Sequence, residues 1–418
     1  LQLDCLFLQQ IGKLMPAIKI LTLTGRLLLL VLILVLLLIL SFYLIAPSYH
    51  FDQPKPFSGH ELYNPYQQIE TPNWYKYNFQ VQSKAWGGIT DGRLNSNELI
   101  DSIYEALGYD HVATSDYQKI NRYKSDERAF IPTYEHGYGI RKTHQVCLGA
   151  SQVLWLDYPF YQSLHHKQHI INKLNDNCEL VAIAHPRLRN GYTFEDLKYL
   201  SGYQLMEVLN NLRVSLDHWD TALSNGHRIY ILSNDDAHDV SNTNEVGRRF
   251  TMIHADNQDR QNIISALDRG VAYGMDFIRI NDEPMLDKYE RSKSIPYLLS
   301  AKLDADTFNI KVSEIADSLR FIGQNGKRLH VEANTSSACY FIDITDTYVR
   351  TEIYFKDGSV IYLNPVTRHK DLDNLERQSL ASINVAQTWL FRSGNILLLA
   401  ILIFFTIRRQ SRSKKTTE

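Results

Sequence analysis

The chain is poor in the residues that build special scaffolds. Its four cysteines, Cys5, Cys147, Cys178 and Cys339, show no C-x-x-C pair and no zinc-knuckle spacing, which excludes a cysteine metal site and a disulfide framework. Two free thiols on neighbouring strands is the reading of Cys147 and Cys178, with a bridge between them as the alternative in an oxidising exterior. With 20 glycines and 12 prolines in 418 residues, neither a collagenous nor a low-complexity chain fits. Charge of one sign is also missing. Lys and Arg total 44 against 46 Asp and Glu, a formal net charge of -2, so no global basic field exists for a nucleic-acid backbone and no nucleic-acid partner is expected. A mean hydropathy of -0.27 excludes a polytopic transporter. There is no G-x-S-x-G, no P-loop, no dinucleotide fingerprint and no internal repeat.

What is present begins with grease. Residues 27 to 40 read LLLLVLILVLLLIL, and continuing to Ala46 gives 20 residues, which at about 1.5 Å of rise each cross a hydrocarbon core of roughly 30 Å. A transmembrane helix is expected over 27–46. The run is longer than the apolar part of a signal peptide, and a buried core helix is rarely apolar on every face. A second apolar stretch, Ile396 to Ile407, reaches 19 residues if extended back to Trp389, with Arg392 snorkelling near the interface, so a second span is expected over 389–407. Lys13, Lys19 and Arg26 precede the first span; Arg408, Arg409, Arg412, Lys414 and Lys415 follow the second. The positive-inside rule therefore puts both termini in the cytoplasm, the main domain outside it, and the lipid bilayer among the partners. Met15 opens a stretch resembling a normal start, and residues 1–14 are expected to be an upstream translation artefact.

Between the apolar segments the pattern changes twice. Residues 47–72 are polar, rich in Pro and Tyr and without period, as in a connector. From about residue 73 to 275, short β-branched runs alternate with helical stretches such as SNELIDSIYEAL and HHKQHIINKLNDN, which predicts βα units and a mainly parallel sheet or barrel. From 276 to 370 the runs only alternate, with Asn325-Gly326 and Asp357-Gly358 as hairpin turns, which predicts a small β-sandwich before a 371–388 linker.

In βα folds, functional side chains stand at strand ends. Those positions here hold Gln80, Gln82 and Asp91; Asp116 and Tyr117; Glu135; His144; His185; and Asp236 with His238. Imidazoles and carboxylates at successive strand ends are the composition of a zinc, manganese or iron site, whereas a single such residue more often caps a helix.

The order of these motifs resembles the PHP (polymerase and histidinol phosphatase) domain family of metal-dependent phosphoesterases. The family's opening His-x-His looks like Gln80-Val81-Gln82 and its Ser-Asp-Gly like Thr90-Asp91-Gly92. Its Thr-Asp-His is similar to Ser115-Asp116-Tyr117, its Pro-Gly-x-Glu to the segment ending at Glu135, and its next His to His144. His185-Pro186, Glu207-Val208-Leu209-Asn210 and Asn234-Asp235-Asp236-Ala237-His238 complete the series, over about residues 74–275. The resemblance implies an α/β fold with a distorted seven-stranded βα barrel and a phosphorylated small molecule as substrate.

It also implies three ligand sets, and the departures from them matter. Gln80 and Gln82 stand where one set needs two imidazoles, and neutral amides are weak ligands for Zn²⁺. Tyr117 replaces a third histidine and leaves Asp91 and His238 too few to hold an ion. Glu135, His144 and His185 remain complete. Two expectations follow. One is a hydrolase with a single ion or fewer ions than its relatives, in which Asp236 or His238 acts as base or ligand and Arg187 and Arg189 bind phosphate oxygens. The other is an inactive PHP-like pseudoenzyme, with no ion, serving as a ligand-binding or scaffold module at the cell envelope.

Overall fold

The computed structural model describes residues 2–89, 92, 94–373, 375 and 377–415; Asp91 lies outside the described residues. The chain forms two units.

One unit joins the segment ending at Ser48 to the segment beginning at Ile383. Its N-terminal helix, α1, runs Gln2–Ile45. Within α1, Thr24–Ile45 is a 22-residue stretch long and apolar enough to cross a membrane; in the C-terminal helix of the same unit, Val385–Phe405 is another, of 21 residues. Most of the described apolar side chains of both stretches are exposed. The Arg392 guanidinium reaches the Ile45 carbonyl at 3.0 Å, and Ser48 N–H donates to Thr388 Oγ1 at 2.9 Å, so polar groups where the helices meet are satisfied.

The other unit spans Tyr49–Ser382. Its first strands are β1 (Glu61–Tyr63), β2 (Trp74–Val81) and, after helix α2 (Asn97–Ala106), β3 (His111–Thr114). Next come β4 (Thr133–His136), β5 (Gln145–Leu148), α3 (Leu164–Asn175), β6 (Leu180–Ile183), α4 (Phe194–Tyr199), β7 (Leu205–Asn210), α5 (Leu216–Ser224) and β8 (Tyr230–Asn234). Then follow β9 (Arg249–His254), α6 (Arg260–Arg269), β10 (Ala272–Asp276), α7 (Met285–Ser292), β11 (Leu298–Asp304), β12 (Thr307–Gly323), β13 (Lys327–Phe341), β14 (Tyr348–Phe355) and β15 (Val360–His369).

The helices start where capping chemistry allows. Ser96 accepts from Leu99 N–H at the start of α2, and Ser163 and Thr193 each form a capping box at α3 and α4, a contribution of about 1 kcal/mol per cap. Helix α6 stops at Gly270, whose φ of +76° and whose contact with Tyr230, 2.4 Å from an added Cβ, leave no room for a side chain.

Strands pair in two open sheets. One has the order β4-β5-β6-β7-β8; the other runs β11-β12-β14-β15-β10-β9-β2-β3, with β1 on β15 and β13 on β12. Of the expected mainly parallel sheet or distorted seven-stranded barrel, the α/β character is present, but the ladders form two open sheets and no seven-stranded barrel. Strand β5 is antiparallel to both β4 and β6, while β6-β7-β8 are parallel. Among the described residues the isolated β-bridges Val81↔Ala237 and Tyr117↔Glu135 run between the two sets of strands. The strands expected as a separate sandwich also continue a sheet begun much earlier, because β15 pairs antiparallel with β10 from Tyr273↔Leu363 to Asp276↔Val360. The reason is burial. β15 is apolar and buried through most of its length, so it needs cover on both faces, which a two-layer hairpin domain cannot supply. The connector is wrapped onto this unit as well: Tyr66 is fully buried and its hydroxyl donates to the Ala272 carbonyl at 2.8 Å.

Candidate metal centre

Three neighbouring strands bring one carboxylate and two imidazoles together. Glu135 lies inside β4; His144 immediately precedes β5; His185 follows β6. His144 stands at the start of a strand, yet it reaches the same place, because antiparallel β5 brings its first residue, Gln145, opposite His136 on one side and Ile183 on the other. Glu135, His144 and His185 are all buried, their ligand atoms lie within 4.8 Å of one another, and this is the one such group among the described residues. Glu135 Oε1 meets His144 Nδ1 and, at 3.2 Å, His185 Nε2, and the two imidazoles pack edge-on with centroids 5.3 Å apart.

The surroundings set the charges. Burial alone would raise the Glu135 carboxyl, but the charge and hydrogen bonds of His144 and His185 hold it well below the ordinary carboxylate range. For His185 burial pushes downward too, and the hydrogen bond and charge of Glu135, reinforced by Asp236 and Glu207, overcome it and lift the imidazole to about 9. His144 stays below its usual value because burial outweighs the attraction of Glu135. Glu135 and His185 thus favour each other's charged forms, while burial favours the neutral ring at His144.

The residues fit a divalent ion. Two imidazoles and a carboxylate are a zinc-type donor set. His144 Nε2 and His185 Nδ1 are buried without a hydrogen-bond partner, as is Asp236 Oδ1. Such orphaned atoms cost free energy unless something binds them. Two of the left-handed non-glycine residues stand at the same positions: His185 has φ +27° and Asp236 φ +50°. Gly137, at φ +117°, backs the cluster, and a Cβ there would stand 2.7 Å from His144 Cδ2.

The other expected site residues fall into distinct places. Gln80 and Gln82 are fully buried. Gln82 Nε2 donates to Glu135 Oε2 at 2.8 Å and to the Ser115 carbonyl at 2.9 Å, while both polar atoms of Gln80 lack partners. Tyr117 is half-buried, with its ring 5.5 Å from that of His144. Asp116 does not join the cluster; its carboxylate binds Ser83 N–H and Oγ, both at 2.7 Å, and ties the end of β2 to the end of β3. Asp236 lies outside the three-residue group although its charge acts on His185. His238 Nδ1 engages the Asp236 carbonyl at 2.9 Å. Arg187 and Arg189 are exposed and reach the carbonyls of Val214 at 3.3 Å and Ile140 at 3.2 Å.

Sequence reasoning gave no role to Glu207 and Asn210, yet both support the site. Glu207 Oε2 accepts from His185 N–H at 2.9 Å, and Asn210 Nδ2 bridges Glu207 and Asp236 at 2.9 Å each. Burial, then the charge of Asp236, pushes the Glu207 carboxyl up to about 8. The available signal was a carboxylate in the middle of an otherwise apolar strand, LMEVLN.

No family model matches the chain, and no curated protein matches it. Among solved structures it is similar to the crystal structure of a two-domain protein from Bacteroides vulgatus containing a predicted PHP-like metal-dependent phosphoesterase. The identity is 14%, the likeness covers 76% of this chain and 100% of that one, and the TM-score is 0.36.

Proposed function

We propose that the chain is a membrane-tethered, PHP-like hydrolase of phosphoesters that works with one divalent ion, zinc, manganese or iron, held by Glu135, His144 and His185. The observation that carries this reading is the buried group of those three residues, with one ligand atom from each lying within 4.8 Å of the others. Bound there, such an ion supplies Lewis acidity for phosphoryl chemistry. The chain supplies the rest. Asp236, with a buried, unpartnered oxygen, is the candidate to hold or move a proton, with His238 beside it in sequence. Arg187 and Arg189, on the exposed turn after His185, offer guanidinium groups to phosphate oxygens. Glu207 and Asn210 position His185 and Asp236.

On this reading β2 to β8 are a distorted seven-stranded barrel whose ladders are open, with the Val81↔Ala237 and Tyr117↔Glu135 bridges between its two sets of strands. Thr24–Ile45 and Val385–Phe405 are transmembrane spans, and the basic residues flanking them favour cytoplasmic termini with Tyr49–Ser382 outside. Nucleic acid has no part in it. A screen of phosphomonoesters and phosphodiesters with the purified full chain tests the activity: turnover that disappears in Glu135→Ala supports it, and none in the metal-supplemented wild type sinks it.

One observation favours a second reading. Gln82 already donates to Glu135 Oε2, so an amide occupies one oxygen of the central ligand. A pseudoenzyme binding a phosphorylated ligand without turnover would keep the ligand affinity and lack the hydrolysis.

A further inference from the structure

The Tyr49–Ser382 unit holds a cavity of about 310 Å³ whose walls come largely from residues 50–55 and 378–382. These segments begin five positions after Ile45 and stop three positions before Val385, where one apolar stretch ends and the other begins. The His50 N–H donates to the Ser382 carbonyl at 2.8 Å and joins them. Phe51 and Tyr199, both in the wall, pack edge-on with centroids 6.4 Å apart. A space of this size takes a headgroup and not a whole lipid.

The polar groups of the wall define what it takes. His227 Nε2 faces the Lys198 carbonyl at 2.7 Å, and a carbonyl only accepts, so Nε2 carries the proton. Burial lowers the pKa of this imidazole, so at neutral pH Nδ1 is bare and accepts from Gln378 Nε2. The Gln378 amide is oriented by that bond, and its Oε1 is buried with no donor. Such an acceptor calls for an N–H or O–H group. Asp52 and Lys55 also line the cavity, exposed and in no ion pair among the described residues, whereas Lys198 is taken by Glu195 at 2.8 Å. One free carboxylate, one free ammonium and one buried acceptor complement a zwitterion whose cation carries N–H groups. We propose that this cavity holds the headgroup of phosphatidylethanolamine, with its ammonium on Gln378 Oε1 and Asp52 and its phosphate on Lys55. This rests on the reading of the two apolar stretches as spans, which brings segments only a few residues beyond them to the headgroup layer.

Native mass spectrometry of the detergent-purified full chain reads the bound lipid. Dioleoyl phosphatidylethanolamine, phosphatidylcholine and phosphatidylglycerol are offered in equal amounts to wild type, Gln378→Leu and Lys55→Ala. Choline keeps the positive charge but has no N–H to donate, and glycerol has no cation. The expected result is one phosphatidylethanolamine per chain, bound about tenfold more tightly than phosphatidylcholine. Gln378→Leu is expected to abolish that preference, and Lys55→Ala to weaken both lipids alike. Equal affinity for the two in wild type, a preference that survives Gln378→Leu, or binding unchanged by Lys55→Ala overturns the proposal. Lys55 is exposed and unpaired, so its variant keeps the test decisive if Gln378→Leu fails to fold. Displacement of the lipid by an equal concentration of glycerophosphoethanolamine overturns the lipid source and assigns the cavity to a soluble phosphodiester. Extraction of membranes with alkaline carbonate separates the two readings. Release of the chain contradicts the spans and the lipid source together, while a retained chain without the phosphatidylethanolamine preference contradicts the headgroup site alone.

Discussion

Glu135 carries more than one side chain usually does: two imidazoles share its Oε1 and the Gln82 amide takes its Oε2. The chemistry of the site turns on which neighbours are imidazoles and which are amides. Replacing both glutamines, as Gln80→His with Gln82→His, is expected to raise the bound divalent metal above that of the wild type, measured by inductively coupled plasma mass spectrometry; unchanged content would contradict the view that the two amides cost the site an ion. Gly137 makes a different demand. Gly137→Ala places a methyl against His144 and forces an L-residue into a left-handed backbone, so it is expected to weaken metal retention during dialysis while secondary structure by circular dichroism stays intact. At this scale much was legible from sequence, since Glu135, His144 and His185 are each bracketed by recognisable motifs. Glu207 was not legible as a support, because its role depends on Asn210 reaching Asp236 across two strands.

At the scale of elements, helices could be read from apolar spacing, and α2 and α3 lie where the periodicity put them. The sheet order could not be read. Apolar alternation says that β15 is a strand and nothing about pairing with β10, a contact between residues about ninety positions apart; likewise no periodicity distinguishes antiparallel β5 from a parallel neighbour. Because β15 is buried against β10, a chain cut after Asp276 is expected to lose its near-ultraviolet circular dichroism, and a native spectrum would contradict this topology. The late strands are also tied to the earlier helices by charge. Arg350 on β14 binds Asp220 of α5 through Nε and Nη2, each at 2.7 Å, and Glu352 at 2.6 Å, all buried. Asp220→Ala strands part of that guanidinium and is expected to cost about 3–5 kcal/mol in chemical denaturation. A loss below about 1 kcal/mol would mean that Glu352 alone compensates the charge.

For the molecule as a whole, three partly buried imidazoles set an acid limit. Burial lowers His111, His166 and His369 each to about 4, with the Arg228 charge adding to the effect at His369 and neighbouring histidines at His166. Their folded values lie below the unfolded one near 6.5, so the unfolded chain binds more protons between those limits. The stability they contribute is present above about pH 6.5 and is lost as pH falls through about 4. Melting temperature is expected to decline over that window, less steeply in His111→Gln; an identical slope in that variant would exclude His111 as a contributor. The proposed tether makes its own prediction, that residues 408–418 are shielded from protease added outside intact cells, and cleavage there would overturn cytoplasmic termini. The proposed function turns on one point, a divalent ion held by Glu135, His144 and His185 as the single surviving set of ligands. The most direct test is the metal content of the purified full chain, wild type beside Glu135→Ala. The account predicts about one transition-metal ion per wild-type chain and near none in the variant; no metal in the wild type, or equal metal in both, would contradict it.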